Sequence, residues 1–69
     1  MQKLTLEEFG LVMQHALSNQ YHFNQRHGQS IFNATYELFP ELADSLRTTG
    51  AGCFYNDNKI IHFVNAILE

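Results

Sequence analysis

The sequence predicts an all-α domain of three to four short helices, without a sheet, and two observations support this. Apolar residues recur at intervals of three and four positions through most of the chain, which is the spacing of one helix face. The segments with this period are separated by glycine, proline and asparagine signals that end or begin helices. The 69 residues form one domain, 1–69, and a chain of this length buries only roughly 60% of the surface it exposes when unfolded. We therefore expect its stability to depend on helix packing or on a second copy.

The first helix is predicted from about Leu6 to Gln20. Thr5 stands three residues before Glu8, which is the spacing of a capping box at a helix N-terminus. Apolar residues then recur on one face at Leu6, Phe9, Met13, Ala16 and Leu17. The polar segment "HFNQRHG" follows as a connector.

The second and third helices are predicted on either side of Pro40. The segment "QSIFNATYELF" carries the helical period, and Gly28 to Ser30 supplies its start signal. The residue before a proline avoids the helical region, while proline itself suits a first helical turn. We therefore interpret "PELADSLR" as a separate short helix that turns Leu42, Ala43 and Leu46 inward, with one kinked helix as the alternative.

The segment "TTGAGCFYND" has no helical period and is interpreted as a tethered loop between helices rather than a catalytic loop. Gly50 or Gly52 can take the positive φ that a helix end or a turn requires. Phe54 and Tyr55 are predicted to pin the loop on the core. Asn56, Asp57 or Asn58 is predicted to cap the last helix. Arg47 paired with Asp57, or with Asp44, is predicted to help close the loop.

The last helix, within "KIIHFVNAIL", has an unusually wide apolar face. Projected at 100° per residue, its polar residues His62, Asn65 and Glu69 fall within about 60°, and its apolar residues cover about 220°. Burial on both flanks of a small bundle would explain this width. The alternative is a contact with another chain, as a homodimer or with a protein partner, through Ile61, Phe63 and Leu68.

The charge pattern argues against direct nucleic-acid binding. Four Lys and Arg against seven Asp and Glu give a net charge of −3. The basic residues are scattered along the sequence at Lys3, Arg26, Arg47 and Lys59. They therefore form no stripe that would follow a phosphate backbone.

Composition also bounds the compartment and the cofactors. No apolar run approaches the ~20 residues of a membrane span, and Met1 to Glu8 lacks the features of a signal peptide. The single cysteine, Cys53, cannot form an internal disulfide or a site with several cysteine ligands. A cytoplasmic protein without a cofactor and without a membrane contact is predicted.

Chemical constellations in the sequence are sparse. His22 and His27 are five residues apart, whereas two ligands on one helix face need a spacing of three or four. Cys53 could act as a nucleophile beside a histidine, but nothing in the sequence places the two together. A small enzyme or metal-dependent protein using Cys53, His62 and Asp57 is therefore the alternative function.

The run "FNATYELFPELADSLRTTGAGCFYNDNKIIHFV" contains, in order, an aromatic-rich helix, a Pro-x-x-Ala-Asp segment, a Leu-Arg-Thr turn, a Phe-Tyr-x-Asp loop and a short apolar helix. This order resembles that of small phage and prophage accessory proteins. The matching residues are Asn33, Tyr36, Pro40, Leu42, Ala43, Asp44, Arg47, Phe54, Tyr55 and Asp57. Gly52 and Cys53 stand where the resemblance leads us to expect an acidic residue and a proline. The resemblance implies no activity, but it implies an accessory factor that binds a host protein.

These observations predict a small protein–protein interaction module, such as a phage-type inhibitor or regulator of a host protein. It would act through apolar helix faces and the Cys53–Asp57 loop, because a chain this short has difficulty enclosing a catalytic pocket. The predicted partner-binding residues are Phe54, Tyr55, Asp57, Ile61, Phe63 and Leu68. A structural subunit of a larger assembly would use the same surfaces and is a further alternative.

Overall fold

The computed structural model describes residues 3–48, 50 and 52–68 and confirms the all-α fold. Its elements are α1 (Leu6–Phe23), α2 (His27–Leu38), α3 (Pro40–Thr48), a 3-10 turn (Asp57–Lys59) and α4 (Ile60–Ile67). Among the described residues there is no strand, only one isolated bridge between Leu4 and Leu68. Thr49 and Ala51 of the predicted loop, and Glu69 of the predicted polar face, lie outside the described residues.

α1 begins where the capping box predicts. The Glu8 N–H donates to Thr5 Oγ1 at 3.2 Å, and the Thr5 N–H donates to Glu8 Oε1 at 2.9 Å. Both halves of the box satisfy N–H groups that would otherwise lack a partner. The helix runs past the predicted end at Gln20 to Phe23, because Asn24 takes the left-handed conformation (φ 54°) and caps it.

Pro40 separates α2 from α3 as two helices, as predicted. Phe39 leaves the helical region with φ −138° and ψ 69°, and Pro40 begins α3. The Phe39 carbonyl accepts from the Ala43 N–H at 3.2 Å, so it starts the hydrogen bonding of α3. The change of direction between the helices is therefore built on two residues.

α2 lies at the centre of the domain and contacts α1, α3, α4 and the 3-10 turn. The buried hydroxyl groups of α2 are hydrogen-bonded to carbonyl groups of the same helix: Thr35 donates to the Ile31 carbonyl and Ser30 donates to the His27 carbonyl. Ser30 also accepts from the Gln20 side chain of α1. The remaining core consists of apolar residues from every helix, from the segment before α1 and from the loop after α3: Leu4, Val12, Ala16, Ile31, Phe32, Ala34, Leu42, Ala43, Leu46, Cys53, Phe63 and Ile67.

The width of the apolar face of α4 is explained mainly by burial. Phe63 and Ile67 are fully buried, while Ile60, Val64, Ala66 and Leu68 are partly buried. Phe63 packs on Phe32 of α2, with ring centroids 5.7 Å apart. It is therefore inaccessible in this fold, and the prediction that it contacts a partner is wrong: Phe63 is a core residue. Ile61 alone in this helix is an exposed large hydrophobic residue.

Candidate functional site

An open cleft lies where α2, the end of α3 and the loop before α4 meet. Its volume is about 580 Å³, within the range of ligand-binding pockets. We call it the aromatic cleft and define it by its lining residues, which are Phe32, Asn33, Tyr36, Arg47, Gly50, Gly52, Phe54, Tyr55, Asn56 and Lys59. The cleft therefore joins the predicted Cys53–Asp57 loop to a face of α2 that the sequence analysis did not assign.

Aromatic rings form the apolar part of the cleft. Phe32, four residues before Tyr36 on α2, is buried, and Phe54 stands edge-on to it with ring centroids 5.9 Å apart. Tyr55 stands edge-on to Phe54 at 4.7 Å. Phe54 thus pins the loop, as predicted. Tyr55 does not, because it is 88% exposed, and Tyr36 is 44% exposed. The cleft therefore presents two exposed tyrosines, of which Tyr55 is largely uncovered and Tyr36 is partly covered.

Asp57 holds the loop against the N-terminus of α2. Its Oδ1 accepts from Arg26 Nη1 at 2.9 Å and from the Gly28 N–H at 3.1 Å. Arg26 is the residue before α2 and provides no side-chain cap, so Asp57 supplies that cap from a distant part of the chain. Among the predicted alternatives, Asp57 is therefore neither the cap near the last helix nor the partner of Arg47. Asn56 caps the 3-10 turn instead, by accepting from the Asn58 N–H.

Two hydrogen bonds and one close backbone approach complete this attachment of the loop to the start of α2. The Cys53 thiol donates to the Gly28 carbonyl at 3.2 Å, and Arg26 Nη2 donates to the Phe54 carbonyl. A Cβ atom added at Gly28 would lie 2.3 Å from the Cys53 carbonyl oxygen, so only glycine permits this approach. Gly50, with φ 80°, takes the positive-φ position predicted for the end of α3, and its carbonyl accepts from Lys59 Nζ.

Two cationic side chains line the cleft of this acidic protein. Arg47 and Lys59 line it, while no Asp or Glu occurs among its lining residues in the described part of the chain. Arg47 donates to Asp44 at 2.9 Å, which confirms one of the two predicted pairs; the side chain of Arg47 is 64% exposed and that of Asp44 is 48% exposed. Two of the four Lys and Arg side chains therefore meet at one surface, although the sequence shows them far apart.

Cys53 behaves as a core residue. It is fully buried, and burial raises the pKa of its thiol from an ordinary 9.0 to about 11, with the negative charge of Asp57 adding to the rise. The thiol is therefore protonated at neutral pH, and the thiolate is the nucleophilic form. A mechanism that starts at Cys53 would need this residue to become accessible first.

The remaining candidate ligands are dispersed. His62 lies exposed on α4, and His15 of α1 pairs with Glu37 of α2. Over residues 3–48, 50 and 52–68 no three His, Cys, Asp or Glu side chains are close enough together to hold a metal ion. Within the same residues, no helix is long and apolar enough to cross a membrane.

Apart from Phe63, which is in the core, the predicted partner-binding residues therefore divide into three groups. Phe54 and Tyr55 line the cleft, whereas Asp57 is committed to Arg26 and to the cap of α2. Ile61 is exposed and Leu68 is half-buried beside Leu4. The i, i+4 spacing of Phe32 and Tyr36 was the available sign that α2 contributes to the site.

No protein-family model, curated protein or solved structure matches the chain. Over the described residues, the fold and the cleft define a class, a small four-helix domain with an open cleft lined by aromatic side chains.

Proposed function

We propose that this protein is a small protein–protein interaction module whose binding surface is the aromatic cleft. The observation that carries the proposal is the pair of exposed tyrosines, Tyr36 of α2 and Tyr55 of the loop, beside two cationic side chains. Tyrosine and arginine are enriched at the energetically dominant positions of protein interfaces, because they combine apolar contact with hydrogen bonding.

Charge indicates the kind of partner. Arg47 and Lys59 flank the rings, and the described lining includes no carboxylate, so the cleft suits a segment that carries Asp or Glu next to an apolar side chain. Asn33 and Asn56 add neutral groups that can both donate and accept hydrogen bonds. The net charge of −3 disfavours a polyanion such as nucleic acid as the partner.

The loop is attached firmly enough to act as a preformed surface. Asp57, Cys53 and Phe54 are each held to α2 or to its preceding residue. Binding to a preformed surface costs less ordering entropy than binding to a loop that must fold first. The preformed surface, together with the resemblance to phage accessory proteins, supports the proposal that the protein is an inhibitor or regulator of a host protein and acts in the cytoplasm.

The test is selection of peptides from a displayed random library on the immobilised protein, followed by fluorescence anisotropy with the selected soluble peptides. We expect acidic peptides with an aromatic or aliphatic residue to be enriched. Tyr55→Ala and Arg47→Glu should each weaken binding by about tenfold or more, which is the effect of losing a central contact.

Two variants outside the cleft serve as matched controls. Tyr21→Ala removes an equally exposed tyrosine from α1, and Lys3→Glu makes the same charge reversal near the N-terminus. Both should leave the affinity unchanged. Enrichment of basic or neutral peptides, or equal losses in the control variants, would contradict the proposal.

A further inference from the structure

A second exposed apolar surface runs along α1, on the side away from the core. Its members fall within an arc of about 100° when the helix is projected at 100° per residue. We call it the α1 stripe, and it consists of Leu6, Gly10, Met13, Gln14, Leu17 and Tyr21. Leu6, Leu17 and Tyr21 are 76%, 64% and 86% exposed, so the stripe presents three large apolar side chains to water, while Met13 at its edge is partly buried.

Within the described part of the chain only Met13 of this stripe packs against the core, and its three exposed apolar side chains remain uncovered. Among the described helices, α1 contacts only α2. It does so through the other side of the helix, where Val12, Ala16 and Asn19 are buried. An amphipathic helix normally turns one face to the core and a polar face to water, whereas α1 has a second apolar face.

Gly10 lies within the stripe, and neither packing nor backbone conformation in the described structure requires a glycine at this position. A Cβ atom added at Gly10 would meet nothing within 4 Å outside the helix itself and its chain neighbours. Its φ is not positive either, so no turn requires it. Glycine inside a helix is less favourable than alanine, and close approach of another chain is a physical reason to retain it.

We propose that the α1 stripe binds the α1 stripe of a second copy, antiparallel and about a two-fold axis near Met13 and Gln14. In this arrangement Leu6 faces Tyr21 of the second copy, and the space over Gly10 receives Leu17 of the second copy. Each contact occurs twice, because a two-fold interface presents the same patch from both sides. A large residue thus meets a small one where Leu17 packs over Gly10, and two large side chains meet where Leu6 faces Tyr21.

Charge favours the antiparallel orientation over the parallel one. The first turn of α1 carries Glu7 and Glu8, and its last turn carries His22. Antiparallel helices place the acidic turn of one copy beside the His22 turn of the other and oppose the two helix dipoles. Parallel helices would bring the acidic turns together, and would place glycine against glycine and Tyr21 against Tyr21.

The size of the contact predicts a weak dimer. α1 has 18 residues and is therefore about 27 Å long, and a single pair of such helices falls at the low end of specific interfaces. We expect a dissociation constant of about 10 to 100 μM, a range typical of weak contacts of this size. The dimer is independent of the aromatic cleft, which lies on α2, α3 and the loop.

Sedimentation equilibrium on matched variants tests the interface. Leu17→Glu places a charge in the stripe and should raise the dimer dissociation constant by about tenfold or more. Leu11→Glu makes the same change at an exposed leucine on the same helix, outside the stripe, and should change it less than about threefold. Circular dichroism confirms that both variants fold.

Gly10→Gln separates an effect on dimerisation from an effect on the stability of the monomer, because the two should change in opposite directions. Glutamine is the better helix former, so the variant should be more stable to urea when monomeric, yet it should dimerise less because it fills the space for Leu17. Cysteine cross-linking tests the orientation. Gln14→Cys should cross-link to itself, while Leu6→Cys should cross-link to Tyr21→Cys but not to itself. Three results would each overturn the proposal. The first is a wild type that stays monomeric at about 1 mM, ten times the weakest expected dissociation constant. The others are equal effects of Leu11→Glu and Leu17→Glu on dimerisation, and cross-linking of Leu6→Cys to itself.

Discussion

Gly28 and Cys53 show how single residues join segments that are far apart in sequence. The Cys53 carbonyl occupies the space where any other residue at position 28 would carry its Cβ atom, and the Cys53 thiol donates to the Gly28 carbonyl. The close approach of these two backbones sets the position of the loop that follows. Cys53 therefore contributes to the site as a packed side chain.

The buried thiol should make stability fall at alkaline pH. Its folded pKa of about 11 lies above the ordinary value of 9.0, so its contribution is fully present below pH 9 and is lost as pH rises through about 11. Two pKa units correspond to at most about 2.7 kcal/mol in the free energy of unfolding. We expect urea unfolding from pH 8 to 11 to show the advantage of wild type over Cys53→Ser shrinking across this window. Parallel pH profiles for the two proteins would contradict the assignment.

At the scale of elements, the loop and α2 depend on one carboxylate. Asp57 caps α2 in place of Arg26 and also pairs with Arg26. Both side chains of the pair are about half exposed, so the ion pair is screened by water and contributes little. The cap should dominate, since losing a side-chain cap costs about 0.5 to 2 kcal/mol.

Substitutions at Asp57 separate the cap from the charge. Asp57→Ala removes both and should lower the free energy of unfolding by about 1 to 2 kcal/mol. Asp57→Asn keeps an acceptor oxygen and should cost less, by roughly the value of the exposed ion pair. Urea denaturation of both variants, with and without Arg26→Ala, measures the coupling. Equal losses in Asp57→Ala and Asp57→Asn would show that charge, rather than the cap, matters.

At the scale of the whole molecule, the described segments near the two ends of the chain stabilise one another. Leu4 is fully buried, and its N–H donates to the Ile67 carbonyl at 2.6 Å. This contact closes the core around α4, the shortest α-helix described. A domain of this size has only about 3 to 10 kcal/mol of stability, so one such contact is a large share of it.

Leu4→Ala and Leu6→Ala form a matched pair for this contact. The two leucines are two residues apart, but Leu4 is fully buried and Leu6 is largely exposed. Leu4→Ala should cost about 2 to 5 kcal/mol and lower Tm by at least about 8 °C. Leu6→Ala should change Tm by only a few degrees in dilute solution, where self-association is absent. Similar Tm values for the two variants would mean that Leu4 is not part of the core.

The sequence by itself determined the features that depend on neighbours a few residues apart. The capping box at Thr5, the break at Pro40 and the turn at Gly50 all follow from local backbone hydrogen bonding and allowed φ and ψ angles. Only the tertiary structure decided which side chains meet. Asp57 caps a helix 29 residues away, Phe63 is core rather than surface, and the residues lining the aromatic cleft come from three separate segments. Helical periodicity shows that a helix face is apolar, but which residues pack against that face depends on how the helices are arranged in the fold.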